Sequence, residues 1–230
     1  MLITPKFQPI LPPIYFDGAS IEWVQTIKYL GLTLDNKLTF NIHVNEICNK
    51  LSKFKGVFYS LSSLVPRSVL LNLYSAFVYP VLINNIIIWG GLNLTNGRRI
   101  QILLNKILRI ILNVKYNNYI PLMDTTDMYK QLELLKFYDI YRYFLLRFYH
   151  FIVFDRIDVF VNNFSPLLPQ RNYNTRNSRI NLPEVSTDVE RNLTIFQLCC
   201  LIRELPESFL TPQSKNTLKL NFRKFILDNY

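Results

Sequence analysis

Residues 27–61 read IKYLGLTLDNKLTFNIHVNEICNKLSKFKGVFYSL, and the spacing of apolar side chains changes within them. Up to Leu34 the apolar residues alternate, which sets Leu30, Leu32 and Leu34 on one face of a strand. Beyond Asp35-Asn36 the pattern becomes Phe40, Val44, Ile47, Leu51, Phe54, Phe58 and Leu61. These steps of four and three mark a helix buried along one side. A chain that turns here from short strands to long helices belongs to a mainly α class with a small N-terminal β element.

Upstream, Ile14-Tyr-Phe-Asp-Gly-Ala-Ser-Ile-Glu-Trp-Val24 is a pair of short strand-like runs around Asp17-Gly18. Asp-Gly is a strong two-residue hairpin signal, because both turn positions need positive φ. With Ile27–Leu34 as a third strand, a small antiparallel sheet is predicted over residues 1–38.

Downstream, Pro66 suits the opening of a helix that packs Val69, Leu70, Leu73 and Phe77 until Pro80 bends or ends it. Residues 68–97 contain no charged side chain, a length that would suffice to span a membrane. Asn72, Asn84 and Asn85 interrupt this run, and Gly90, Gly91, Asn93 and Asn96 close it like a turn. A buried helical hairpin is therefore preferred to a membrane span. From Arg98 to Lys115, Ile100, Leu103, Leu104, Ile107, Leu108, Ile111 and Val114 share one side of a helix. Arg98, Arg99, Lys106 and Arg109 gather on another, within an arc of about 100°.

The remainder divides into an aromatic-rich helical stretch and a polar tail. Nine aromatics lie between Phe137 and Phe154, on several faces of one helix, which favours packing over base stacking. Residues 162–188, including Arg171-Asn-Tyr-Asn-Thr-Arg176, read as extended or irregular, and a short helix is predicted over Leu218–Leu227.

The formal net charge is +10, but it is unevenly spread. Residues 39–116 carry nine basic side chains against Glu46 alone, a net of +8, whereas residues 117–230 contribute +2. Such a concentration is the footprint of a face for an acidic partner, although a merely solvated basic surface also fits. Cys48, Cys199 and Cys200 form neither a disulfide framework nor a zinc spacing, which points to a reducing, intracellular compartment, nucleus or cytoplasm. The N-terminal residues lack the basic-then-apolar order of a secretory signal.

Several marks, in order, carry a resemblance to a known family. They are Tyr29-Leu-Gly-Leu-Thr-Leu-Asp35 followed by Leu38, Phe40 and His43; Leu73-Tyr-Ser-Ala-Phe-Val-Tyr-Pro80; Trp89-Gly90; and Leu103-Leu-Asn-Lys-Ile-Leu-Arg109. Tyr173-Asn-Thr-Arg176, Arg203-Glu-Leu-Pro206 and Phe222-Arg-Lys-Phe225 complete the series. In this order they resemble the part of non-LTR retrotransposon reverse transcriptases, LINE-type and jockey-like, that follows the catalytic palm. Two departures imply drift: Asn84 and Asn85 stand near the family's usual Tyr before the WG mark, and Cys200–Arg203 replace a Trp-containing element.

The resemblance implies a palm-edge hairpin over 1–38 and a basic helical thumb-like domain over 39–116. An aromatic helical connection over 117–160 and a partly irregular tail over 161–230 follow. It implies that Tyr29, Leu30 and Gly31 occupy a primer-grip position, although a buried strand whose glycine eases packing fits them equally. Lys50, Lys53, Arg98, Arg99, Lys106 and Arg109 are the candidate phosphate contacts, as a cluster, for non-specific binding of an RNA–DNA hybrid or duplex. Polymerisation requires carboxylates clustered about two metal ions, and the chain holds no adjacent Asp pair. The chain alone is thus expected to have no catalytic residue, metal site or cofactor. Its alternatives are a membrane-associated protein through residues 68–97, or a helical scaffold binding a protein such as a polymerase palm in trans.

Overall fold

The computed structural model describes residues 12–91, 94–114, 124–154, 182, 184–185, 190–191 and 193–230. Two antiparallel hairpins open the described chain. β1 (Ile14–Phe16) pairs with β2 (Ala19–Ile21) across Asp17 and Gly18, whose φ values of 50° and 77° are those the Asp-Gly signal requires. β3 (Thr26–Tyr29) pairs with β4 (Leu32–Asp35), and Tyr29 faces Leu32 across a second two-residue turn at Leu30-Gly31. The single third strand predicted over 27–34 is thus folded on itself, and the predicted sheet is two separate two-stranded ones. The alternation of Leu30, Leu32 and Leu34 hid this turn, because a leucine with φ of 47° gives no turn signal.

The helices follow. α1 (Asn41–Leu61) buries Val44, Ile47, Leu51 and Phe58, the heart of the predicted seam. Its entry is fixed by Asp35, which is buried and whose two carboxylate oxygens accept from the backbone N–H of Lys37 (3.0 Å), Thr39 (3.0 Å) and Phe40 (2.8 Å) and from Thr39 Oγ1 (3.1 Å). Leu38 and Phe40 both take positive φ here, so a tight non-helical corner is held by one carboxylate.

The uncharged stretch is not one hairpin of two long helices. It comprises α2 (Arg67–Leu73), a π-helical turn (Tyr74–Val78), α3 (Tyr79–Ile83) and α4 (Ile86–Trp89). The π turn shifts the hydrogen-bond ladder just before Pro80, so that the proline lies in the first turn of α3, where its missing N–H is least costly. Among the described residues no helix is long and apolar enough to cross a membrane.

α5 (Leu94–Ile111) packs beside α1, and α6 (Thr125–Leu132) leads into α7 (Phe137–Phe154). α7 is the central element of the second half: α3, α4, α5, α8 (Thr194–Glu204) and α9 (Lys215–Asp228) all pack on it. Its aromatics are chiefly core, as predicted, with Phe137, Tyr141, Tyr143 and Tyr149 buried and Tyr138 and Phe151 exposed. The predicted short C-terminal helix lies within α9, and Leu218, Phe222 and Ile226 are its buried face. α8 was not foreseen within the irregular tail, because Ile195-Phe-Gln-Leu-Cys-Cys-Leu-Ile202 is too uniformly apolar to show a helical period. Nearly all of residues 162–188, with the Tyr173–Arg176 mark, lie outside the described residues.

Trp89 joins the two halves. Its ring stacks on Phe137 of α7 (5.6 Å between centroids), meets His43 of α1 edge-on (5.3 Å), and its Nε1 donates to the Asn84 carbonyl at 2.7 Å. At Gly90 a Cβ would collide with the Ile86 carbonyl and the Tyr141 ring, so only glycine lets α4 approach α7 this closely.

Candidate nucleic-acid interface

The hairpin β3–β4 is fastened to α1 by its own backbone and side chains. The Thr33 N–H donates to His43 Nδ1 (3.3 Å), and Thr33 Oγ1 donates to Glu46 Oε1 (2.9 Å). His43 is buried, and desolvation holds its pKa below the ordinary 6.5, opposed by Glu46 and reinforced by Lys50 and Lys28. The imidazole is therefore a neutral acceptor and a joint between strand and helix. Lys50 and Lys28 lie near enough to act on it, which puts them on the hairpin side of α1.

Tyr29, Leu30 and Gly31 form the tip of this hairpin, not the middle of a strand. Tyr29 is 64% exposed and Leu30 76% exposed, while Gly31 has φ of 81°. The Leu30 carbonyl accepts from Asn85 Nδ2 at 2.9 Å, and a Cβ on Gly31 would press on Asn84 Nδ2 at 3.0 Å. Asn84 and Asn85, the departures from the family pattern, are thus the residues that hold the tip. Leu30 combines a left-handed backbone, which costs about 1–2 kcal/mol for an L residue, with an apolar side chain left in water. The Asn85 bond offsets part of the backbone cost, and the side chain stays exposed.

The cations on α5 are anchored differently. Arg99 donates to Asn45 Oδ1 of α1 (2.7 Å) and to Asn96 Oδ1 (3.4 Å), and Asn96 donates to Asn41 Oδ1 (2.6 Å). These pairings run α1 and α5 in the same direction, with Asn41 and Asn45 beside Asn96 and Arg99. On the other flank, Asn105 and Gln101 bond to Tyr129 of α6, and Arg109 is close enough to Tyr129 to act on its phenol. Arg109 is half-buried, and its Nε has no hydrogen-bond partner. Of the six cations named from sequence, Lys50, Lys53, Arg98 and Lys106 are exposed and outward-facing; Arg99 is exposed but engaged as a clamp, and Arg109 is turned toward α6.

The six do not share one helix face. At about 100° per residue, Lys50 and Lys53 lie well round α1 from Asn45, the position that meets α5. The intervening surface of α1 is Asn45, Asn49, Ser52, Gly56 and Ser60, all exposed and neutral. Glu46, the acidic residue nearest this surface, is tied to Thr33, and Asp35 is buried under its four hydrogen bonds. The strip from Lys53 to the α5 cations therefore carries no acid, while Glu46 stands between Lys50 and Lys53 on the α1 wheel. Among the described residues, none of the six cations is ion-paired with a carboxylate, and no group of His, Cys, Asp and Glu side chains could hold a metal.

Comparison with known proteins gives a consistent family relation. Over 112 residues the chain is 30% identical to a probable RNA-directed DNA polymerase from transposon BS of Drosophila melanogaster, which is 47% of this chain and 12% of that protein. The chain is similar to mobile-element RNA-directed DNA polymerases. Two further Drosophila melanogaster relatives agree: a probable RNA-directed DNA polymerase from transposon X-element (29% over 131 residues) and the RNA-directed DNA polymerase from mobile element jockey (31% over 134 residues). Each alignment covers 56% of this chain and 14% of the relative. The chain thus matches only a small fraction of the length of these polymerases. No family model matches, and no solved structure matches. The jockey-like, non-LTR resemblance drawn from the ordered marks is the relation these proteins show.

Proposed function

We propose that this chain is a thumb-like module of a mobile-element reverse transcriptase that grips a template–primer duplex without reading its sequence, and that it does not itself supply the polymerising carboxylates. One observation carries the reading: an uncharged, exposed strip of α1 joins the exposed cation Lys53 to Arg98 and Lys106 on α5, and exposed Lys50 lies on the side of α1 that holds the β3–β4 hairpin. A duplex laid along such a strip would meet cations spaced on two packed helices, and the apolar tip would bear on a sugar or base edge. Arg99 and Arg109, in this reading, hold the helices that carry the contacts. In this reading Asp35, at the base of the hairpin, and Glu46 serve to hold the hairpin on α1 through their hydrogen bonds.

The test is the salt dependence of binding to an RNA–DNA hybrid, followed by fluorescence anisotropy. If the four exposed cations each neutralise one phosphate, the log–log slope should be about −3 to −4, a loss of roughly a hundredfold between 50 and 200 mM salt. Replacing Arg98 and Lys106 by Glu should flatten the slope by about two, similarly for hybrids of different sequence. An affinity indifferent to salt, or to that double substitution, would sink the proposal.

A second reading rests on β1–β2. Ile14, Tyr15, Phe16 and Ile21 are 44%, 66%, 74% and 49% exposed, so this hairpin shows apolar side chains on both faces. A polypeptide surface covering it, such as a polymerase palm, fits that exposure. Replacing Tyr15 and Phe16 by Ser should then abolish association with a separately supplied palm while hybrid binding stays unchanged; unchanged association would remove this reading.

A further inference from the structure

Phe144, Phe148, Phe151 and Phe154 follow one another at helical spacing along one side of α7. None of the four is fully buried, and Phe151 is 37% exposed. The stripe they form lines a cleft of about 280 Å³ between α7 and the start of α9, with Leu218 of α9 and Ile87 of α4 as further apolar wall. From residue 144 to residue 154, at roughly 1.5 Å per residue, is about 15 Å of helix. A cleft of that volume drawn out over that length is narrow, with the girth of one extended chain and not of a fused ring system.

The polar side chains of the cleft are either engaged or cationic. His150 Nε2 donates to the Phe209 carbonyl at 2.7 Å. Gln213 donates to the Ser208 carbonyl and accepts from Asn221 Nδ2 at 3.0 Å. A polypeptide strand laid in the cleft would therefore find no free neutral side chain for its own N–H and C=O groups, which are costly to bury unmatched. An alkyl chain has none to match. Arg147 and Lys215 remain. The Arg147 guanidinium is held over the rings of Tyr143 and Phe144, 5.9 and 5.5 Å from their centroids, and Lys215 is exposed. Among the described residues no Asp or Glu lines the cleft, and no carboxylate is paired with either cation. The geometry points to a site for a medium-chain fatty acid, its alkyl tail along the phenylalanine stripe and its carboxylate toward Arg147 and Lys215.

The site shares no residue with the α1–α5 strip and goes beyond the proposed duplex grip, so the two are tested separately. Calorimetric titration of the full chain with decanoate, octanoate and hexanoate tests it. One saturable site is expected for decanoate, with affinity falling about fourfold for each methylene removed, the fold-change a buried CH₂ carries. Decanol has the tail without the charge and should bind more weakly. Lys215→Glu should weaken decanoate about fivefold and leave decanol unchanged. Phe151→Ser should weaken both alike. Both positions are exposed, and an unchanged melting temperature checks that the fold survives. Vesicles of phosphatidylglycerol distinguish the source of the tail. Co-sedimentation lost in Phe151→Ser assigns the cleft to the acyl chain of a membrane lipid, and sedimentation that the substitution leaves alone assigns it to the free acid. No saturable binding at millimolar decanoate would overturn the site. So would uptake of many molecules per chain, equal affinity for all three acids, or binding that ignores both substitutions.

Discussion

Removing the Asp35 carboxylate tests whether one buried side chain sets the angle between the hairpin and α1. Asp35 accepts four hydrogen bonds at 2.8–3.1 Å, three of them from backbone N–H groups in a corner where Leu38 and Phe40 have positive φ. Bonds to an ionised acceptor are worth about 1.5–3 kcal/mol each, but the four share one carboxylate and water can reach part of the opened corner. We expect Asp35→Ala to cost about 3–4 kcal/mol, a large fraction of the roughly 5–15 kcal/mol that holds a domain folded. Asp35→Asn should cost less, about 2 kcal/mol, because one amide oxygen still serves Lys37 and Thr39 while the amide N–H₂ opposes the Phe40 N–H. Urea unfolding followed by circular dichroism measures both. Hydrogen exchange should show the excess opening confined to residues 26–45. If both variants lost under 1 kcal/mol, or if exchange rose evenly over α7 and α9 instead, the corner would not be the determinant described here.

Three further outcomes follow from the same joints. Because His43 has a folded-state pKa below 6.5, its neutral form is favoured in the fold; stability should be level above about pH 6.5 and fall as the pH drops from there toward the folded value, and His43→Gln should flatten that slope in pH-dependent melts. Gly90→Ala should destabilise by about 2–3 kcal/mol in urea unfolding, since the added methyl meets a carbonyl and a packed ring rather than a movable side-chain end. Leu30→Asn should raise stability by about 1 kcal/mol by relieving the left-handed leucine, yet weaken hybrid binding; a variant that is stabler and binds equally well would remove the tip from the proposed grip.

The parts of the fold readable from sequence were those whose signal is local and repeated. The α1 seam, the cationic and apolar faces of α5, and the Asp17-Gly18 turn each follow from residue spacing alone. The Leu30-Gly31 turn was illegible because alternating leucines obey the rule for one continuous strand. What makes them a turn is the tertiary hold of Asn85 on the Leu30 carbonyl, 55 positions away. The Pro80 bend was foreseen as a place but not as a π turn, since the shift of ladder depends on how Tyr74 packs. For the interface, sequence counts charges but not their engagement. Arg99 and Arg109 look like Arg98 on a helical wheel, and only the positions of Asn45 and Tyr129 set their different roles.

The bond from Asn85 to the Leu30 carbonyl has a geometric consequence of its own. With Asp35 fixing its base and Asn85 its far end, the β3–β4 hairpin is pinned at both ends. The place of its exposed tip is then a property of the helical core, set before any strand arrives. For the proposed grip this means selection by shape: an A-form hybrid and a B-form duplex differ in width and groove depth, and a tip held at a fixed place would meet them differently without reading a base.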